Sequence, residues 1–271
     1  MLNNDFWHSI KQIIDNGFDA EGLSKLESYA EKFISNKLVY ERFSPFEQHG
    51  CATGGTTHVI ATLLAGAEIE ANSLTAPINS FKREQQCAEE QIKRIRNWAK
   101  ATNCWIDDVD VILSKQLGEQ IAEGGEAHVY DHGASIIKII GLDYYLLPEL
   151  ALDRISLHNA FFPETRLNVL GFGCSQDGAF QIVVEQPFIH GSSMTDAEIR
   201  DFAEAMGFEL RNPRNWTFAT PDIYLSDLHD ENVIRSKDGN VFVIDCDIRI
   251  NTPSLRQGGT RELNNNVVFI P

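Results

Sequence analysis

The densest chemistry in the chain lies in Ser226-Asp-Leu-His-Asp-Glu-Asn-Val233, a polar loop that follows a short apolar run at 223–225. Asp227 and Asn232 stand five apart in it. Beyond a Lys237-Asp-Gly-Asn240 turn, a second apolar run, Val241-Phe-Val-Ile244, ends in Asp245. Phosphoryl transfer from a nucleotide needs these parts. One carboxylate orients or deprotonates the attacking hydroxyl, while an amide oxygen and a second carboxylate hold magnesium against the phosphates. A D-x-x-x-x-N spacing alone is more often a polar turn, since turns are rich in Asp and Asn. The hairpin ending in Asp245 shifts the reading toward chemistry.

Upstream lies Ile121-Ala-Glu-Gly-Gly-Glu-Ala-His-Val-Tyr130, followed by Ser135-Ile-Ile-Lys138. A glycine turn at Gly124 and Gly125 lets backbone N–H groups approach phosphates, and a lysine on the next strand reaches phosphate oxygens. A lone Gly-Gly is most often just a turn. Lys138 is harder to dismiss, because an unpaired ammonium in an apolar strand is costly. Its expected partner is a carboxylate on the following helix, where Glu149 and Asp153 share one face at i, i+4.

These residues need elements to hold them. After about residue 114, short β-like runs are read at 128–130, 135–140, 180–185, 223–225 and 241–245. Helices are expected at 148–159 and after Thr195-x-x-Glu198, a capping box whose helix carries Ile199, Phe202 and Met206 until Gly207. The 237–240 turn should join 232–234 to 241–245 as a hairpin. This half is α+β. The first hundred residues read as helical. Phe6, Ile10, Ile13 and Ile14 form one face, and a helix from Asp19 buries Leu23, Leu26, Ala30 and Phe33. A loop is expected at Gly50, Gly54 and Gly55, then a short buried helix over 58–69. The segment 86–101 carries Ala88, Ile92, Ile95 and Ala99 on one face, with Lys93, Arg94 and Arg96 as a solvated face.

The order of glycine loop, strand lysine, acidic helix, D-x-x-x-x-N loop and strand-end Asp resembles the protein-kinase-like superfamily. SDLHDENV looks like the D-L-H-x-x-N loop of its aminoglycoside-phosphotransferase branch. Residues 118–245, with Leu157-His-Asn-Ala-Phe-Phe-Pro-Glu164, Gly171-Phe-Gly173 and Gln186-Pro-Phe-Ile-His-Gly191, are similar to the kinase domain found in polyvalent proteins of phages and conjugative elements. The resemblance implies an α+β, bilobal protein-kinase-like fold with an abbreviated C-lobe, preceded by an α-helical N-terminal region. The divisions expected are 1–113 for the helical extension, 114–186 for the N-lobe and 187–271 for the C-lobe. It also implies an ATP- and magnesium-dependent transfer of the γ-phosphoryl group to a hydroxyl on a protein or small molecule.

Carried over by position, Lys138 meets the α/β-phosphates and Glu149, or else Asp153, pairs with it. Asp227 is the catalytic base, and Asn232 and Asp245 bind magnesium. Glu185, Gln186 and Phe188 belong to the hinge whose backbone meets adenine, while Gly124 and Gly125 form the phosphate loop. The sequence departs from the family's pattern in places. Ala122 and Ala127 replace glycines, Leu225-Ser226 precedes the catalytic Asp, and Cys246-Asp247 stands in place of Phe-Gly. The alternative is a pseudokinase-like module that binds nucleotide or a partner without catalysis.

Composition narrows the partners. Acidic residues outnumber basic ones 39 to 23, a net charge of −16, which disfavours nucleic acid and anionic membranes. The five cysteines are scattered without a C-x-x-C pair, so neither a disulfide framework nor a zinc site is expected, and a cytoplasmic setting fits. Gln48-His-Gly-Cys51 and Thr53-Gly-Gly-Thr-Thr-His58 offer a thiol with a base, but are better read as a glycine loop and helix cap. His128, His132, His190, Trp98 and Trp105 are read as structural.

Overall fold

The structure is a computed structural model that describes residues 4–35, 60, 63–64, 80–111, 117, 119–123 and 127–250. Helix α1 (Asn4–Asn16) buries Ile10, Ile13 and Ile14, and Gly17 ends it at φ +87°. Asp19 caps α2 (Ala20–Ser35), its Oδ1 accepting from the Gly22 N–H at 2.7 Å. Leu26 is fully buried and Leu23 half-buried. The Ala30 and Phe33 side chains, the loop at 50–55 and the Cys51 constellation lie outside the described residues. Of the helix expected over 58–69, only Ile60, Leu63 and Leu64 are described, and all three are buried.

Helix α3 (Ser80–Ala101) buries part of the expected face. Its buried stripe is Cys87, Gln91, Arg94, Ile95, Trp98 and Ala99, so the expected Ile95 and Ala99 lie in it while Ala88 and Ile92 are half-buried. Arg94 is therefore not solvated. Its Nε donates to Glu90 Oε1 at 3.0 Å and its Nη1 to the Leu63 carbonyl at 3.3 Å. Arg96 lies 5.0 Å above the Trp105 ring. Periodicity did not reveal the buried Gln91 and Arg94, because both are polar and take partners from elsewhere in the chain.

The chain divides into two compact units. One holds the residues through Leu152 together with Leu167–Gln186; the other holds Asp153–Arg166 and the chain from Pro187. The first contains a six-stranded sheet, in the order β1-β5-β6-β4-β3-β2 among the described residues. Its strands are β1 (Trp105–Ile106), β2 (Gln120–Glu123), β3 (Ala127–His132), β4 (Ser135–Gly141), β5 (Asn168–Cys174) and β6 (Phe180–Pro187). Strands β2–β3, β3–β4 and β5–β6 pair antiparallel, whereas β1 runs parallel to β5. The glycines of β5 make that last pairing possible. A Cβ on Gly173 would stand 2.3 Å from Val109 Cγ2 and 2.5 Å from the Ile106 carbonyl oxygen. Ile137, Ile139, Val183 and Val109 pack together as an apolar cluster of this unit.

Helix α4 (Pro148–Phe161) is buried along most of its length, including the polar Glu149, Arg154, Ser156, His158 and Asn159. Buried polar groups demand partners, and those of α4 lead to the site. In the second unit, a 3₁₀ turn (Pro163–Thr165) follows α4, and α5 (Asp196–Ala205) starts with the expected capping box at Thr195 and Glu198. The Thr195 backbone N–H, its hydroxyl and Arg235 all stabilise the Glu198 carboxylate, lowering its pKa from 4.5 to about 2.

The second unit has two further sheets. One is ordered β13 (Asp247–Ile250), β10 (Ile223–Ser226), β9 (Thr217–Ala219), β8 (Glu209–Asn212). The other is ordered β12 (Val241–Val243), β11 (Val233–Arg235), β7 (Ser192–Ser193). The expected hairpin is present, with Val233 opposite Val243 and Gly239 at φ +86° in the turn. Phe208, Phe218, Leu225, Leu228, Val233 and Ile248 are among the residues of its core. Strands β8, β9 and β13 were not anticipated from the sequence. They are short, and β13 alternates Asp247 and Arg249 with isoleucines.

Among the described cysteines, Cys87, Cys174 and Cys246 are free thiols. Cys104 is disulfide-bonded, which corrects the expectation drawn from cysteine spacing. Among the described residues, no helix is long and apolar enough to cross a membrane.

Candidate active site

Strand β10 lies between β9 and β13 and carries the chain straight into Asp227. Asp227 takes φ +63°, the left-handed region that side chains enter at a cost. Its side chain is 60% exposed, so the carboxylate is open to solvent. The loop closes on itself behind it. Asn232 Nδ2 donates to the Asp227 carbonyl at 2.8 Å and approaches its Oδ2 at 3.4 Å. His229 Nε2 stands 3.4 Å from Asp227 Oδ1, and the Glu231 N–H donates to His229 Nδ1 at 3.3 Å. Leu228 is fully buried between these polar residues and anchors the loop to the core. The Asn232 amide nitrogen is spent on the Asp227 carbonyl, which leaves the amide oxygen as its acceptor atom.

Asp245 is placed from three directions. The Ile244 N–H donates to the Asn232 carbonyl at 2.9 Å, so the residue before Asp245 is tied to the loop. The Cys246 N–H donates to Asp245 Oδ1 at 2.9 Å. Arg154 of α4 bonds the same Oδ1 through Nη2 and the Cys246 carbonyl through Nε at 2.8 Å. One residue further back, the Val243 carbonyl accepts from Thr165 Oγ1 at 2.6 Å. The Thr165 carbonyl in turn lies 3.1 Å from His158 Nε2. A carbonyl can only accept, so that nitrogen carries the proton, and Nδ1 faces the Cys246 thiol at 3.8 Å. Sequence reasoning missed Arg154, His158 and Thr165. The only signal was polar side chains inside an otherwise apolar helix.

Two departures from the usual pattern compensate each other. Ser226 and Asp247 are register partners on β10 and β13, and Ser226 Oγ donates to Asp247 Oδ2 at 3.3 Å. Arg249 neutralises Asp247, with its Nε donating to Oδ1 at 2.8 Å. Asp247 is thus a strand residue with its charge balanced.

In the first unit, Lys138 sits on β4 opposite Val129, only 6% exposed. Glu149 is 3% exposed at the start of α4. Gln91 of α3 brackets it, with Nε2 donating to Glu149 Oε2 at 2.8 Å and Oε1 accepting from the Glu149 N–H at 3.3 Å. Asp153 is half-buried. Gln91 was also missed by sequence reasoning, being one residue away from the apolar stripe. Glu185, at the end of β6, accepts from Ser135 Oγ at 2.7 Å. Gln186 is fully buried, and Phe188 is exposed with its ring against His190. The ends of β2 and β3 pair Glu123 with His128, but Gly124 and Gly125 between them lie outside the described residues.

The donors at Asn232 and Asp245 are an amide and a carboxylate oxygen, the hard ligands that suit magnesium. Among the described residues, no cluster of three or more His, Cys, Asp or Glu could hold a metal. Two protein oxygens fit an ion that shares its remaining ligands with phosphates and water rather than a dedicated cage.

A strand-borne buried lysine, a buried helix glutamate, an Asp–Asn loop and a strand-end Asp, on mixed α and β elements, define a kinase-like domain. Residues 88–252 match the family model described as serine/threonine/tyrosine kinase found in polyvalent proteins, and the chain belongs to that family. Comparison with curated proteins finds no match.

Proposed function

We propose that the protein is an ATP- and magnesium-dependent phosphotransferase that moves the γ-phosphoryl group to a hydroxyl on a protein or small molecule. The single observation that carries this reading is the Asp227–Asn232 loop tied through Ile244 to Asp245, which puts a base and two oxygen ligands on one rigid frame. In this reading the fold is bilobal, with 114–186 as the N-lobe, 187–271 as an abbreviated C-lobe and 1–113 as a helical extension. Helix α3, within that extension, serves the N-lobe by holding Glu149 through Gln91.

Lys138 binds α/β-phosphate oxygens, and Glu149, or else Asp153, balances its charge. The hinge is 185–188. Pro187 has no N–H, so any backbone donor to adenine from the hinge comes from Glu185, Gln186 or Phe188. Gly124 and Gly125 cover the phosphates. Magnesium at Asn232 and Asp245 supplies charge neutralisation on the phosphates. Asp227 accepts the proton of the acceptor hydroxyl while that oxygen attacks the γ-phosphorus, and the bond to the bridging oxygen breaks with release of ADP. A net charge of −16 argues against nucleic acid and anionic membrane as partners. We take the cytoplasm, where ATP is supplied, as the setting of this reaction.

The test is thermal unfolding with ATP, with and without magnesium. ATP at about a hundred times its Kd should add about 2.7 kcal/mol of stability, and only when the metal is present. Asp245→Asn keeps an acceptor oxygen for Arg154 and should remove most of that gain. An equal gain in EDTA contradicts the assigned metal ligands.

A further inference from the structure

We propose that the β8–β9 turn, through Arg214, selects the acceptor: a peptide hydroxyl with an acidic residue on one side of it. The proposal rests on the reading of Asp227 as the base of a phosphotransferase. Counting on from the Leu225–Phe218 rung of β10 and β9, Asp227 and Trp216 each stand two residues further, at the same end of the sheet. Strand β8 pairs Asn212 with Thr217, so the turn over 213–216 closes at that end too. Among the described residues of the second unit, Trp216 and Asp227 are the two non-glycine residues with positive φ, +45° and +63°. A bulky residue holds that conformation only where its surroundings fix it, and such strain collects at functional sites. Here the Trp216 ring lies 6.2 Å from that of Phe218, against the core.

The turn is braced from within. The Arg214 N–H donates to Asn212 Oδ1 at 3.0 Å, and Thr217 Oγ1 donates to Asn215 Oδ1 at 3.0 Å. Arg211 is paired with Glu209 at 2.9 Å. Arg214 is exposed, and among the described residues its guanidinium has no ion-pair partner. A permanent cation on a fixed turn, in a chain of net charge −16, suits a carboxylate. The loop beside it has the opposite sign. Asp230 and Glu231 are exposed there and repel an anion. An acid on the acceptor is therefore favoured only on the side of its hydroxyl that faces the turn. Both Asp227 and Arg214 are open to solvent, which suits an extended peptide rather than an enclosed small molecule. Strands lie about 5 Å apart and an extended residue rises about 3.3 Å, so the acid belongs about two or three residues from the hydroxyl.

The experiment measures transfer from γ-labelled ATP by the full chain to three serine peptides. One has glutamates only before the serine, one has them only after it, and one has glutamines throughout. One of the two acidic peptides should exceed the glutamine peptide about three- to fivefold in kcat/KM, through KM, the size of an exposed ion pair. The other should not exceed it. High salt should erase the difference. Arg214→Gln should treat the acidic and glutamine peptides alike, and Arg214→Lys should keep a preference. Arg214→Glu should turn the preference toward the matching peptide with lysines.

Equal rates on all three peptides with wild type overturn the proposal, as does an equal gain on both acidic ones. So does an acidic preference that survives Arg214→Gln. If wild type labels no peptide, binding of the same peptides with alanine for serine is read by fluorescence anisotropy. Arg214-dependent binding of one acidic peptide then upholds the turn as its docking site, and only the phosphotransferase reading falls. Equal binding of the three, or none, overturns the proposal.

Discussion

Asp227 combines an exposed carboxylate with a backbone at φ +63°, and the two facts belong together. An ordinary L-residue pays about 1–2 kcal/mol for that conformation, and Asp somewhat less. The strain persists because β10 fixes one end of the loop and Asn232 clamps the Asp227 carbonyl. Urea unfolding should show Asp227→Gly as stable as wild type or more so. Asp227→Val should be less stable than Asp227→Gly by about 1–3 kcal/mol, since a β-branched side chain tolerates this region worst. Equal stabilities for the two variants would mean that the backbone there is unstrained. At this scale, the chemistry-bearing residue types were legible: Asp227, Asn232, Asp245 and Lys138 stand out by spacing and setting. Arg154, Gln91 and His158 were not, because their importance lies in partners far along the chain. Gln91 is 58 residues from Glu149, and Arg154 is 91 from Asp245.

Among the elements, those with their own local code were the readable ones. Thr195 and Glu198 announce α5, Asp19 and Gly17 punctuate the first two helices, and Gly239 marks the hairpin. Helix α3 was legible at Ile95 and Ala99 but not at Gln91 and Arg94, whose partners Glu149 and Leu63 lie far along the chain. Strand β5 was hard to read because its two glycines lower strand propensity, and they are there to admit the 104–109 segment. The α3–α4 contact gives an element-scale prediction. Gln91→Leu keeps the volume but leaves the buried Glu149 carboxylate without its amide donor, which should cost about 1–3 kcal/mol in urea unfolding. Gln91→Glu sets a second carboxylate against the first and should cost more at neutral pH, with recovery on acidification. If both variants unfold with wild type, the contact contributes nothing to holding α4.

For the whole molecule, the α+β class and the chain order of the motifs were evident from the sequence, because that order needs no knowledge of packing. The division of the chain within α4 was not, since nothing in its sequence distinguishes Leu152 from Asp153 as a boundary. Net charge sets a further condition. Under the proposed function, a protein at −16 would bind an anionic nucleotide through local cations, which is why one buried Lys138 would matter more than the count of basic residues. The central claim is phosphoryl transfer with Asp227 as base, and transfer from γ-labelled ATP by wild type and Asp227→Asn tests it most directly, with nucleotide affinity measured in parallel. The account predicts label on a protein or small-molecule hydroxyl with wild type. Asp227→Asn should be slower by about 10²–10⁴ with affinity unchanged. Equal rates for the two proteins would contradict it, as would tight ATP binding by wild type with no transfer to any acceptor, the behaviour of a module that binds nucleotide without catalysis.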